Sequence, residues 1–180
     1  MMRKILNFLF IFLCLSLISC KNLNDSEEKS YTITLSNSDI KNRAFEFAKL
    51  YAESDTEYEW GGQSPVRTVK KIDCSGLVIM CYKYALVDTK FTLLENDMTS
   101  SYIYEYASEK TLSPECGDLI FMGEVGTNKI THIAIYDREE NREIYFIDST
   151  KNETVNGVTE RHYEKTSEKF KSFGIMKLKY

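Results

Sequence analysis

The apolar positions change period along the chain, and each period predicts a different element. Ile5 to Leu17 is an almost continuous apolar run, broken only by Asn7 and Ser16, and Lys21 to Ser38 is polar. From Asp39 to Ala52 the residues Ile40, Ala44, Phe47, Ala48 and Tyr51 recur at helical spacing, which predicts an amphipathic helix capped by Ser38. Glu53 to Ile72 has no clear period and predicts a loop. Cys74, Leu77, Val78, Cys81, Tyr82 and Ala85 then restore the helical pattern, with Asp73 as N-cap. A third helix is expected over Asp97 to Ala107. After Pro114 the pattern alternates, predicting strands over 118–122, 130–137, 142–148 and 172–179. Helices first and an antiparallel meander afterwards predict an α+β fold, with N-terminal helices packed on an antiparallel sheet.

The first apolar run is too short to span a bilayer comfortably. With Arg3 and Lys4 before it and Leu17-Ile18-Ser19-Cys20 closing it, the segment reads as a secretory signal resembling a bacterial lipobox. Residues 1–19 are therefore expected to be a lipoprotein signal peptide, and residues 20–38 a lipidated Cys20 and a flexible stalk. Residues 39–180 are then one domain. Lipidation at Cys20 implies an exported protein anchored to a membrane without crossing it. The whole chain carries a net charge of −4, and loss of Arg3 and Lys4 with the signal takes it to −6 (−4 − 2). That balance argues against a nucleic-acid partner. A monomer is expected.

Three cysteines lie in the predicted domain: Cys74, Cys81 and Cys116. An odd number argues against a complete disulfide framework, and no paired-cysteine or HExxH motif predicts a metal. No cofactor is expected. Cys74 is distinctive because it falls in the first turn of its helix, where the helix dipole favours a thiolate. Buried cysteines often only fill space, so this position gains meaning from a partner.

Of the two histidines, His132 lies in the strand pattern Ile130 to Tyr136, and His162 in the charged stretch Glu160 to Lys165, which reads as solvated. If Asp137 opposes Glu143 across a polar loop over 138–142, His132 opposes Asp148 directly. A cysteine, a histidine and a third group orienting the histidine form the general arrangement of an activated thiol. A lone strand histidine is more often structural, and an aspartate at a strand end often serves a turn. A slip of one residue in register would also separate the pair.

Four motifs in order resemble a known family: Tyr58-x-Trp60-Gly61-Gly62, Asp73-Cys74-Ser75-Gly76-Leu77-Val78, Gly117-Asp118-Leu119-Ile120-Phe121 and His132-Ile-Ala-Ile-Tyr136. Together they resemble the NlpC-type cell-wall cysteine peptidases. The resemblance implies a reduced papain-like fold with Cys74 as nucleophile, His132 as base and Asp148 as the orienting residue. It further implies that Tyr58 assists substrate or oxyanion binding and that Asp73 and Ser75 contact the peptide. The family usually carries His, Asn or Gln where this chain has Asp148, and spaces it closer to the histidine than the sixteen residues here. The link from Pro65 to Asp73 is also longer and more basic than usual. The family's Arg-Ser segment is poorly matched by Asn96 to Ser100.

The resemblance implies hydrolysis of peptidoglycan stem peptides, at the D-glutamyl–diamino acid class of bond, through a cysteine thioester. Two alternatives stand beside it. One is a non-catalytic surface lipoprotein that uses the fold for binding. The other is amidase or acyltransferase chemistry on the same Cys–His pair.

Overall fold

The computed structural model describes residues 30–66 and 70–180. The segment read as a signal, Cys20, and residues 67–69 of the basic link lie outside the described residues. Residues Tyr31 to Tyr180 form one compact unit.

Two helices carry the N-terminal half: α1 (Ser38–Ala52) and α2 (Cys74–Ala85). The cap of α1 is Asn37, one residue before the expected Ser38, because its side-chain oxygen accepts from the Ile40 N–H at 3.0 Å. The expected third helix is shorter, a single turn α3 (Ser100–Tyr102) running into a π-helical turn over Ile103–Ala107. Both main helices bury one stripe. Ala44, Ala48 and Tyr51 of α1 and Leu77, Val78, Cys81 and Tyr82 of α2 are inaccessible to solvent.

The strands are β1 (Ile33–Leu35), β2 (Thr56–Glu57), β3 (Lys70–Lys71), β4 (Thr92–Leu93), β5 (Ser108–Thr111), β6 (Leu119–Met122), β7 (His132–Glu140), β8 (Glu143–Lys151), β9 (Asn156–Glu164) and β10 (Phe170–Lys179). The main sheet runs β1-β10-β6-β7-β8-β9, with β4 and β5 also pairing β10. β1 lies within the segment read as a flexible stalk, and its pairing of Ile33 with Lys179 draws that part into the fold. Apolar residues line both faces of the sheet at β6, β7 and β8, so these strands bury two sets. Leu119, Phe121, Ile133, Ile135 and Ile147 pack with the helices. Ile120, Met122, Ala134, Tyr136 and Phe146 form a smaller cluster on the other face, covered by Tyr163, Phe170 and Phe173.

The hairpin of β7 and β8 differs from its expected register in a way that matters for the site. Its turn is only Asn141-Arg142, both at positive φ (53° and 69°), so Glu140 faces Glu143. Continued unbroken, that register would put Asp148 opposite Ile135, and thus on the face away from His132. Between Tyr136 and Arg138 the ladder gains one unpaired residue, Asp137, and beyond this bulge Tyr136 faces Phe146 and Ile135 faces Ile147. Asp148 then falls opposite Ala134, diagonal to His132 rather than directly opposite as the sequence predicted. The offset of two keeps both side chains on one face.

α2 packs unusually close to the loop before it. A Cβ at Gly76 would lie 2.0 Å from the Gly62 carbonyl oxygen, a backbone atom with no room to move. Gly76→Ala is expected to cost about 1–3 kcal/mol through overpacking. Urea unfolding monitored by circular dichroism checks this, and an unchanged midpoint contradicts the close approach.

Candidate active site

The residue before the candidate nucleophile organises its surroundings. Asp73 is extended and caps α2, with Oδ1 accepting from the Gly76 N–H at 2.6 Å and from Ser75 Oγ at 3.1 Å. Its Oδ2 accepts from the Gly61 N–H at 2.7 Å, and its own N–H donates to the Gly62 carbonyl at 3.1 Å. One carboxylate therefore caps the helix and fastens the Trp60-Gly61-Gly62 loop to it. Asp73 thus holds the local fold in addition to standing where the family resemblance puts a substrate contact.

Cys74 follows as the first residue of α2 and is 7% exposed. Its backbone N–H belongs to the first helical turn, where no preceding helical carbonyl accepts it. Tyr58 stands near enough for Cys74 and Asp73 to act on it electrically. Burial first, and those two neighbours next, push its phenol up to about 12. Cys81 and Cys116 are free thiols of a different kind. Burial pushes Cys81 up, and burial followed by nearby Asp137 pushes Cys116 up to about 11.

His132 is the first residue of β7, and its Nε2 lies 2.5 Å from Asp148 Oδ2. Cys74 is the other neighbour that acts on the imidazole, and Nδ1 is the ring nitrogen left to face it. Burial alone would lower the imidazole, but the hydrogen bond with Asp148 and the nearby Cys74 outweigh it and raise His132 to about 10. The structure thus brings Cys74, His132 and Asp148 together, with Tyr58 beside the cysteine.

The sequence reading did not anticipate Arg161. It lies on β9, in the stretch read as solvated, yet its guanidinium points at the site. Nε donates to Asp148 Oδ1 at 2.9 Å, Nη2 donates to Asp148 Oδ2, and Nη1 donates to the Tyr163 hydroxyl at 2.8 Å. Asp148 is completely buried. Burial pushes its carboxyl up, but the hydrogen bonds from His132 and Arg161 prevail and hold it below the ordinary range. The signal for Arg161 is its alternation: Arg161 and Tyr163 share a strand face, and His162 between them points the other way. His162 is half exposed, 3.6 Å from Glu143 and stacked near Tyr145, well apart from the cluster.

Ser149 joins the two halves of the site. It neighbours Asp148 on β8, and its hydroxyl donates to the buried Ile72 carbonyl at 2.7 Å, two residues before Cys74. By contrast, the Gly117-Asp118 motif is architectural. Asp118 is buried and lies 3.3 Å from Lys41 of α1, while the Gly117 carbonyl accepts from the Tyr82 hydroxyl at 2.8 Å. Among the described residues no group of three His, Cys, Asp or Glu side chains is placed to hold a metal ion.

A sequence model of the NlpC/P60 family matches residues 55–172. None of the curated proteins matches the chain at a significant level. Among solved structures, a Staphylococcus aureus protein described as similar to lipoprotein, NLP/P60 family, is 20% identical with a TM-score of 0.49. The alignment covers 79% of this chain and 43% of that one. Ly7917 is 12% identical with a TM-score of 0.52, over 76% of this chain and 62% of its own. The chain therefore spans less than two thirds of the length of either. Similarity to Ly7917 places the α+β arrangement among the reduced papain-like folds.

The cluster makes two predictions. Arg161→Met leaves a buried carboxylate short of its main cation, and is expected to cost about 3–5 kcal/mol in urea unfolding. The double variant Arg161→Met/Asp148→Asn should lose less than the sum of its parts. The second prediction concerns pH. Because His132 is raised from 6.5 to about 10, its stabilising contribution is whole below pH 6.5 and fades as pH rises toward 10. Denaturation midpoints across that window should fall for the wild type and stay flatter for His132→Gln.

Proposed function

The chain belongs to the NlpC/P60 family, and on that footing we propose that it is a cysteine peptidase of peptidoglycan stem peptides with Cys74 as its nucleophile. The observation that carries this reading is His132 held between Cys74 and the buried Asp148–Arg161 pair. Members of the family are for the most part cell-wall cysteine peptidases.

His132 Nδ1 carries the thiol proton, and the Cys74 sulfur attacks the scissile carbonyl. The developing oxyanion is met by the Cys74 backbone N–H and the Tyr58 hydroxyl. As the C–N bond breaks, His132 returns its proton to the departing amine, leaving a thioester. A water molecule then gives a proton to His132 and adds to the thioester, and that proton restores the thiol when the acid product leaves. Asp148 keeps the imidazole oriented throughout. Arg161 neutralises Asp148, so the carboxylate acts more as a fixed acceptor than as a second base.

The bond proposed is that between D-glutamate and the diamino acid. Lipidation at Cys20 is proposed to hold the domain at the outer side of a membrane, where this substrate lies.

Incubation of the wild type and Cys74→Ala with purified muropeptides tests the reading. Mass spectrometry should find new amine-terminated fragments with the wild type alone, and a loss of at least about 10³-fold in the variant. Identical product profiles would sink it. Labelling with a radioactive fatty acid tests the tether, which should vanish in Cys20→Ala while export continues.

A further inference from the structure

A groove of about 340 Å³ opens beside His132, between the end of β6, the start of β7, the outer strands β8 and β9 and the turn before β10. Its position has a chemical meaning, since His132 must reach the amine that departs. A fragment carrying that amine can extend past the imidazole into this groove. The Cys74 and Tyr58 side belongs to the acyl fragment.

The charge of this groove is uneven in a specific way. Arg161 and Lys169 both line it, and both donate to the same atom, the Tyr163 hydroxyl oxygen, at 2.8 and 3.4 Å. Arg161 is matched by Asp148. Lys169 lies 4.4 Å from the Tyr163 ring centre and has no ion-pair partner among the described residues. With its oxygen accepting two donors, the Tyr163 hydroxyl keeps its own proton free to donate. The corner thus offers a cation and a hydroxyl donor, with one positive charge unmatched. Glu124 is the one carboxylate among the residues lining the groove, exposed and likewise without an ion-pair partner among the described residues.

We propose that this groove is the subsite for the amine-side fragment, and that Lys169 and Tyr163 there bind a carboxylate carried by that fragment. The inference rests on the peptidase reading and names the substrate class within it. A diaminodicarboxylic residue satisfies the corner through its side-chain carboxylate, and its second ammonium suits Glu124. A residue ending the peptide could satisfy it instead through its terminal carboxylate. A stem peptide with lysine at that position, extended by a further residue, offers neither.

The test uses the full-length protein and four stem peptides. They carry diaminopimelate with a free side-chain carboxylate or with that carboxylate amidated, each as a tripeptide and as a D-alanine-extended tetrapeptide. If the side-chain carboxylate is the ligand, amidation lowers kcat/KM about tenfold at both lengths, mainly through KM. If the terminal carboxylate is the ligand, extension has that effect instead. In either case Lys169→Gln should lose about tenfold more on the favoured peptide than on its blocked counterpart. Rates indifferent to both modifications, or an equal loss for Lys169→Gln on all four, overturn the subsite. Failure of the wild type to cut any of them overturns the peptidase reading instead. The subsite is then read from calorimetry with free diaminopimelate and with its diamide, where equal affinity for the two overturns it.

Discussion

A carboxylate with no access to water lies at the centre of this molecule. Asp148 can remain charged there only because His132 and Arg161 supply three hydrogen bonds and a full positive charge. That requirement reaches outward through the sheet. β9 has to lie against β8 in a register that aims Arg161 inward, and Tyr163 must stand where it can take the last guanidinium donor. β7 must also present His132 on the matching face. Three strands are thereby locked in relative register by one ion, a task for which apolar contacts alone are less discriminating.

The histidine side of the site depends on a defect in the sheet. The tight Asn141-Arg142 turn imposes an odd offset between β7 and β8, and one extra residue at Asp137 returns it to an even one. Parity is what places Asp148 beside His132. Sequence alternation carries parity but not the location of a bulge. For that reason the pairing was legible on the correct face, although the expected turn and the opposing residues were both displaced.

The helices were the most readable part, since the apolar spacing of Ile40 to Tyr51 and Cys74 to Ala85 has one structural solution. β9 was the least readable. Its side chains alternate between a half-covered face and an exposed one, and charged residues occur on both, so alternation alone does not single out the inward positions. Arg161 is hidden in that pattern because Glu160 and His162 flank it. β1 was obscured for a related reason. Three residues between polar neighbours carry too little periodicity, and their place is set by the distant β10.

The position of β10 bears on how the chain comes to be folded. The last strand in sequence lies between β1 and β6 and is also the partner of β4 and β5. β1, β4, β5 and one edge of β6 therefore have nothing to pair with until β10 is available. Contacts between the two ends of the chain carry a large loop-closure entropy, which delays them further. During synthesis the growing polypeptide can form helical turns and the β7–β8 hairpin, but not the finished sheet. Assembly is consequently coupled to synthesis of β10, and a product truncated before it lacks the strand that β1, β4, β5 and β6 share.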